Sequence, residues 1–431
     1  MHTLRNVRTF DALREPSFRL MWLSTTVQAA TMQVENVALV WYILELTGSP
    51  FLTGLLTTAR LALTILAMYS GVLADRISRK KILLSVQALS IAVSVIMAGL
   101  IATGLVQVWH IFAAAAITGV GRLFDQPARQ ALVADSVPTD KIPNAVSLNQ
   151  LAMNVVSAVA PLFGGILYGA LGPVGVYLFM AFAYVLGSAC ILFVRVQQNL
   201  RRAEQKESIW ASMAGSLRLA RGNGIVVAAL IMAAIANLSG FPFNQVLLAV
   251  YAKSVLGTDA TGLGFLLSGL GVGAIIGAVS VASMASVRRM GRILVLCMFL
   301  WHVGILAVAL SRQLYLAWGL LVLTGVVQSM SMATIAGLLL ATTPGEFRGR
   351  IMGLRQLAIY PLPLGTAVTG ALVSSLGITT TVLICTVVGS ILIWTTVLFI
   401  PKLWKPVEPY RSEPAPSATS SVEGTRQART A

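Results

Sequence analysis

Long apolar stretches separated by short polar gaps dominate the chain between residues 20 and 401. Roughly 20 consecutive apolar residues cross a bilayer as a helix, and by that rule the pattern predicts twelve spans. The first six run near 20–46, 51–74, 82–104, 108–126, 146–169 and 174–194. The second six run near 225–251, 262–285, 293–310, 314–341, 352–375 and 379–401. Between the two sets, residues 195–224 are polar and basic. Ile209, Trp210, Met213, Leu217 and Leu219 are spaced there to lie as a helix on the inner membrane surface. Residues 1–19 form a short N-terminal segment with four arginines and no apolar core, so the first span is expected to serve as its own insertion signal. Residues 402–431 turn to Pro, Ser, Glu, Arg and Thr, which cannot bury a core, and a disordered tail is expected.

The charges sort by gap. Of the 31 Lys and Arg residues, 27 fall in every second gap, while only Lys253 and Arg312 fall in the alternate ones. The remaining two, Arg60 and Arg122, lie inside apolar stretches. Basic side chains are retained on the cytoplasmic side during insertion. Both termini are therefore expected in the cytoplasm of a bacterial cell, with an even number of spans through its cytoplasmic membrane.

Composition agrees and removes several function classes. With 57% hydrophobic and 11% charged residues, the chain differs from ordinary soluble domains, which carry about 25% charge. The net charge of +16 belongs to loops beside anionic lipid rather than to a nucleic-acid surface. Cys190, Cys297 and Cys385 suit neither a metal site nor a disulfide framework. His110 and His302 have no Cys, Asp or Glu at ligand spacing. No phosphate-binding Gly-x-x-x-x-Gly-Lys-Ser/Thr occurs. Neither a cofactor, a metal nor enzymatic chemistry is expected, and the energy source is expected to be an ion or solute gradient.

The halves are related. Residues 138–152, PTDKIPNAVSLNQLA, align without a gap on 344–358, PGEFRGRIMGLRQLA, with an offset of 206. This predicts an all-α membrane protein of twelve transmembrane helices in two six-helix, pseudo-symmetric bundles, 20–194 and 225–401, joined by the 195–224 linker. Two like-oriented bundles around a midplane cavity are an architecture for alternating access.

Residues 71–80, GVLADRISRK, occupy the cytoplasmic gap between the second and third spans and closely resemble the major facilitator superfamily signature, Gly-x-x-x-Asp-Arg-x-x-Arg-Arg/Lys. Gly71 allows close backbone approach, while Asp75 is drawn to a helix N-terminus of the other half. Arg76, Arg79 and Lys80 can hold neighbouring carboxylates, so the set reads as a cytoplasmic gate. In the second half the matching stretch from Met284 to Arg292 lacks both the glycine and the aspartate. Residues 125–150, DQPARQALVADSVPTDKIPNAVSLNQ, with EFRGRIMG at 346–353 and LTGSP at 46–50, resemble the branch holding enterobactin-type siderophore exporters and macrolide efflux pumps. The resemblance implies export. Where that family often reads Gly-Pro-x-x-Gly-Gly in the fifth span, an antiporter signature, this chain has Ala160, Pro161, Leu162, Phe163, Gly164 and Gly165.

Carboxylates deep in lipid are costly and usually functional, and Glu35 is the one near the middle of a predicted span. Glu35 lies 13 residues before Gly48 and Arg60 lies 12 after it, so the two share a depth across an antiparallel pair. A Glu35–Arg60 ion pair is expected, either exchanging a proton or cationic substrate or serving as a static buried pair. Arg122, Asp125 and Arg129 can share one helix face and read as gate charges at the inner end of the fourth span, or as its solvated end. Gln28, Gln33, Asn36, Asn149, Gln150, Asn154, Asn237, Asn244 and Gln245 are candidates to line a mostly apolar cavity, against the alternative of interhelical hydrogen bonds. Gly240 with Pro242, and Pro361 with Pro363, interrupt the seventh and eleventh spans as hinges or simple kinks. Pro161, Gly164 and Gly165, and the stripe Gly269, Gly273 and Gly277, are read as close-packing positions within a monomer.

These features predict a secondary transporter that exports an amphipathic small molecule, a drug or siderophore-like compound, in exchange for protons. The alternatives are uptake or facilitated flux of a metabolite or lipid, and a non-transporting sensor or scaffold.

Overall fold

The computed structural model describes residues 10–62, 78–195, 222–283 and 289–407. Among these there is no strand. The helices are α1 (Pro16–Thr47), α2 (Pro50–Ala62), α3 (Arg79–Ala102), α4 (Val108–Asp135) and α5 (Ile142–Phe193). After residue 222 come α6 (Gly224–Ile235), α7 (Leu248–Ser254), α8 (Ala260–Ala282), α9 (Met290–Leu310), α10 (Leu314–Ala341), α11 (Arg348–Leu357), α12 (Pro361–Leu376) and α13 (Ile378–Phe399). Eight helical stretches among the described residues are long and apolar enough to cross a membrane. α1 and α4 are long but are not among the eight, and they are the helices that carry Glu35 and the Arg122, Asp125 and Arg129 set.

Local sequence sets the helix ends. Ser78, Asn223 and Asp259 cap the starts of α3, α6 and α8 by accepting from Lys81, Ile225 and Gly262 backbone N–H groups, donors that a first turn otherwise leaves unpaired. Gly48 and Gly377, at φ 62 and 77, end α1 and α12, in a left-handed conformation that favours glycine. Gly172, at φ 65, breaks the 52-residue α5 just before Pro173. That break falls between the expected fifth and sixth spans.

The internal repeat is visible in the backbone. Pro138 and Pro344 are both extended, each leads into a 3-10 turn (Thr139–Lys141 and Gly345–Phe347), and each turn opens a helix. Leu148 and its counterpart Leu354 are both buried.

Helices before residue 195 meet helices after residue 222 along two seams. In one, Gly54 of α2 lies so close to α12 that a Cβ would stand 2.6 Å from the Thr366 carbonyl and 2.9 Å from Gly370 Cα. Thr58 Oγ1 continues this seam to the Pro363 carbonyl at 3.0 Å and Thr366 Oγ1 at 2.9 Å. In the other, Gly165 packs on Gly264 of α8, and Pro161 offers its carbonyl to the same glycine. Lys253 Nζ also donates to the Leu44 carbonyl at 2.8 Å. Most of these contacts lie within two or three turns of Gly48, Gly172, Gly257 and Gly377, so the halves are held together near one end.

Gly164 rests on Val34 of α1. The Gly269, Gly273 and Gly277 stripe faces α10, at Trp318, Val322 and Val326. The stripe is thus consumed inside the chain. The interrupted segments also touch each other: after α6 come π-helical turns at Ala236–Gly240 and Phe243–Leu247, and Gly365 of α12 packs against Leu238 and Pro242. Single π turns inside α-helices recur at functional sites.

Alanine stabilises a helix relative to glycine by about 1 kcal/mol when space allows, so two matched substitutions isolate packing. Gly273→Ala pushes a methyl into the Val322 carbonyl and the Gly325 backbone, whereas Gly319→Ala meets nothing within 4 Å. The first is expected to cost about 1–3 kcal/mol, a few degrees of melting temperature in detergent, and the second to leave the melt unchanged or slightly raised. Equal melts for the two variants would remove the α8–α10 contact from the account.

Candidate functional site

The centre of α1 carries Glu35, buried at 2% exposure. Its Oε2 accepts from Arg122 Nη2 at 2.5 Å, and its Oε1 accepts from Thr118 Oγ1 at 3.1 Å. Tyr184 Oη donates to Oε2 at 3.4 Å. Thr118 and Arg122 stand one turn apart on α4 and so present a hydroxyl and a guanidinium from one face. Tyr184 comes from α5 beyond its break. Three helices therefore converge on one carboxylate. The charge-assisted bond is strong in low dielectric, and losing either partner strands a charge that water no longer solvates. The carboxylate is nearly sealed while the Arg122 side chain keeps 18% exposure, so the cation is the edge of the pair that other molecules can reach.

A second pair continues along α4. Arg129 donates through Nε and Nη2 to both oxygens of Asp125, each at 2.9 Å, and through Nη1 to Ser24 Oγ at 3.3 Å. Both side chains are buried. Such forked geometry satisfies most of the donors and acceptors involved.

Two expectations are corrected. Glu35 pairs with Arg122, not with Arg60, whose Nη2 donates to Asn36 Oδ1 at 2.6 Å. The shared depth of Glu35 and Arg60 is real, yet adjacent helix residues point about 100° apart, which turns Glu35 toward α4 and α5 and Asn36 toward α2. Nor do Arg122, Asp125 and Arg129 stand at a solvated helix end. α4 runs on to Asp135, which leaves Arg122 mid-helix and the other two buried.

Of the expected gate, Gly71, Asp75 and Arg76 lie outside the described residues. Arg79 forms an ion pair with Asp135, and Lys80 Nζ donates to the Leu192 and Val194 carbonyls at 2.7 and 3.1 Å. These contacts tie α3 to the ends of α4 and α5 within one half, where a cation at a helix C-terminus is favourable.

The amide side chains do not form one ring. Asn36 Nδ2 donates to Gln33 Oε1 at 3.1 Å, and Gln150 Nε2 to Asn154 Oδ1 at 3.0 Å. Asn237 is buried and bonds back to the Ala233 carbonyl at 2.8 Å, so it is occupied by its own helix. Asn244 Nδ2 reaches Gln328 Oε1 of α10 at 3.2 Å. Gln245 is half-buried. Buried oxygens of Gln28, Asn149 and Asn244 have no protein partner among the described residues. His302 is buried, with Nδ1 at 2.8 Å from the Met298 carbonyl and Nε2 at 2.9 Å from Ser239 Oγ, a packed position consistent with its lone spacing. Sequence reasoning missed Thr118, Tyr184 and Gln328, because uncharged polar residues in apolar runs carry no periodic signal. The Thr118–Arg122 spacing of one turn was the available clue.

A family profile for transmembrane secretion effectors of the major facilitator type matches residues 7–419. The chain belongs to that family. It is 23% identical to the multidrug efflux pump Tap of Mycolicibacterium fortuitum over 402 residues, 90% of this chain and 97% of that one. It is 22% identical over 180 residues to macrolide efflux protein A of Streptococcus pyogenes, 42% of this chain and 44% of that one. Among solved structures, the nucleoside transporter NupG superposes with a TM-score of 0.72 at 11% identity, over 89% of this chain and 99% of that one. A bacterial homologue of the human lysosomal transporter Spinster, inward-facing and unoccupied, gives 0.70 at 15% identity, over 93% and 98%. At such identities the superpositions show the fold alone. This chain is a multi-pass membrane transporter and not an enzyme.

A double-mutant cycle tests the pairing. Glu35→Gln and Arg122→Gln are each expected to destabilise the folded transporter by about 3 kcal/mol, and their combination by clearly less than the sum. Glu35→Gln combined with Arg60→Gln is expected to be closer to additive. Coupling of Glu35 to Arg60 larger than to Arg122 contradicts the assignment.

Proposed function

We propose that this transporter exports an amphipathic small molecule, drug-like or siderophore-like, by alternating access in exchange for protons. The single observation that carries the proposal is a sealed carboxylate, Glu35, gripped by an arginine that stays partly accessible, inside a transporter fold whose relatives are efflux pumps. The proposed frame is twelve spans in two bundles, both termini inside, with small molecule and proton as its cargo and lipid as its solvent.

The physical logic is exchange at one charge. A proton on Glu35 cancels the attraction to Arg122, and the freed guanidinium then repels the remaining cations or takes a new acceptor. Loss of the proton restores the pair and expels that acceptor. The seams near one end support a state closed on the outer side, with the site approached from the inner side; the rocking of one half against the other pivots on α2–α12 and α5–α8. The interrupted helices around Pro242 and Pro361 are proposed to bend as this happens.

Deleting the gene is expected to raise the cellular content of several structurally unlike amphipathic compounds severalfold, and collapse of the proton gradient is expected to abolish the difference. Accumulation that is instead higher in cells carrying the gene identifies uptake and overturns the direction of transport.

A further inference from the structure

Arg60 forms no ion pair with a carboxylate among the described residues. Among the described residues of this half, Glu35, Asp125 and Arg129 are buried, and Arg60 and Arg122 are half-buried. Glu35 is held by Arg122, and Asp125 by Arg129. Arg60 makes one hydrogen bond among the described residues, to the neutral amide oxygen of Asn36. It also stands within electrostatic reach of Arg122, a like charge that makes its retention more costly, and of Glu35, which offsets part of that cost without a direct bond. An unpaired cation inside a bundle is expensive and marks a functional position.

The place is informative too. α2 is a seam helix, and Thr58, two residues before Arg60, already bonds the Pro363 carbonyl and Thr366 of the opposite half. Arg60, two residues further on, points about 200° around the helix from Thr58, so it turns from that seam toward Asn36 and is half-buried, with part of its side chain accessible. A guanidinium has five donors in a planar fork suited to carboxylate, sulfonate or phosphate oxygens.

We infer that Arg60, with the Asn36 amide beside it, recognises an acidic group on the transported molecule, so that the cargo is an anionic amphiphile rather than a cationic one. The inference rests on the export reading for its direction of movement, but binding is measurable without it. The cargo's anion supplies the charge that Glu35 cannot, because Glu35 is already held by Arg122.

The test uses the full-length protein and matched probes that differ in charge alone: 1-naphthalenesulfonate against 1-naphthalenesulfonamide, an aryl carboxylate against its carboxamide, and an aryl phosphate monoester against its alcohol. Equilibrium binding to purified transporter and transport into proteoliposomes are both read. The acidic member of at least one pair is expected to bind roughly tenfold more tightly, the worth of one charge-assisted hydrogen bond. Arg60→Gln should remove that preference without weakening the neutral partner, and Arg60→Lys should restore part of it. Neutral members that bind as well as acids in every pair, or no binding by any probe, overturn the inference; this holds on the wild type even if Arg60→Gln does not fold. An Arg60→Gln variant that loses acid and neutral probes alike assigns Arg60 to exchange with Glu35 and also overturns it. Acid-selective binding without transport leaves the inference standing and defeats the export reading, whereas export of neutral probes alone does the reverse.

Discussion

The Glu35–Arg122 ion pair is the interaction on which the rest of this structure depends. Charge in hydrocarbon is tolerated only when it is paired, hydrogen-bonded or wetted, and this half meets that requirement along α4, where Thr118, Arg122, Asp125 and Arg129 succeed one another. The consequence is structural: α1, α4 and α5 are tied at mid-depth by Glu35, Arg122 and Tyr184. It is also chemical, because a carboxylate locked in this way changes its grip when its charge changes. In the proposed exchange, this one pair couples helix position to ionisation.

Around it, glycine decides where the halves touch. Apolar side chains gain little by associating in lipid, since lipid tails are equally apolar, so close backbone approach and small residues carry helix association. Gly54 with Gly370, and Gly165 with Gly264, bring α2 to α12 and α5 to α8 near backbone contact. The charged contacts of Arg79 and Lys80, by contrast, hold neighbouring helices inside one half.

Much of this was legible in the amino-acid order. Apolar run length anticipated helices and no strands among the described residues, and the 206-residue offset anticipated matching turns after Pro138 and Pro344. The glycine spacing in α8 anticipated an intramolecular contact. The resemblance at 71–80 named the superfamily that the family profile supports. What failed was direction. Depth can be counted from a turn, and Arg122, 15 residues from Gln107, the residue that caps the start of α4, satisfied the depth condition about as well as Arg60 did. Choosing between them requires the rotation of each helix about its axis, which tertiary packing fixes and a single sequence does not display. The solvated-end alternative for Arg122, Asp125 and Arg129 failed for a related reason: Pro127 and the polar residues around it ended the apolar run early, while the helix itself continued to Asp135.

The most direct measurement is transport by wild-type and Glu35→Gln protein, folded and in equal amount, in proteoliposomes with and without an imposed pH gradient. The account predicts that the gradient accelerates the wild type and leaves the variant's residual rate unchanged. A variant that responds to the gradient as fully as the wild type contradicts it.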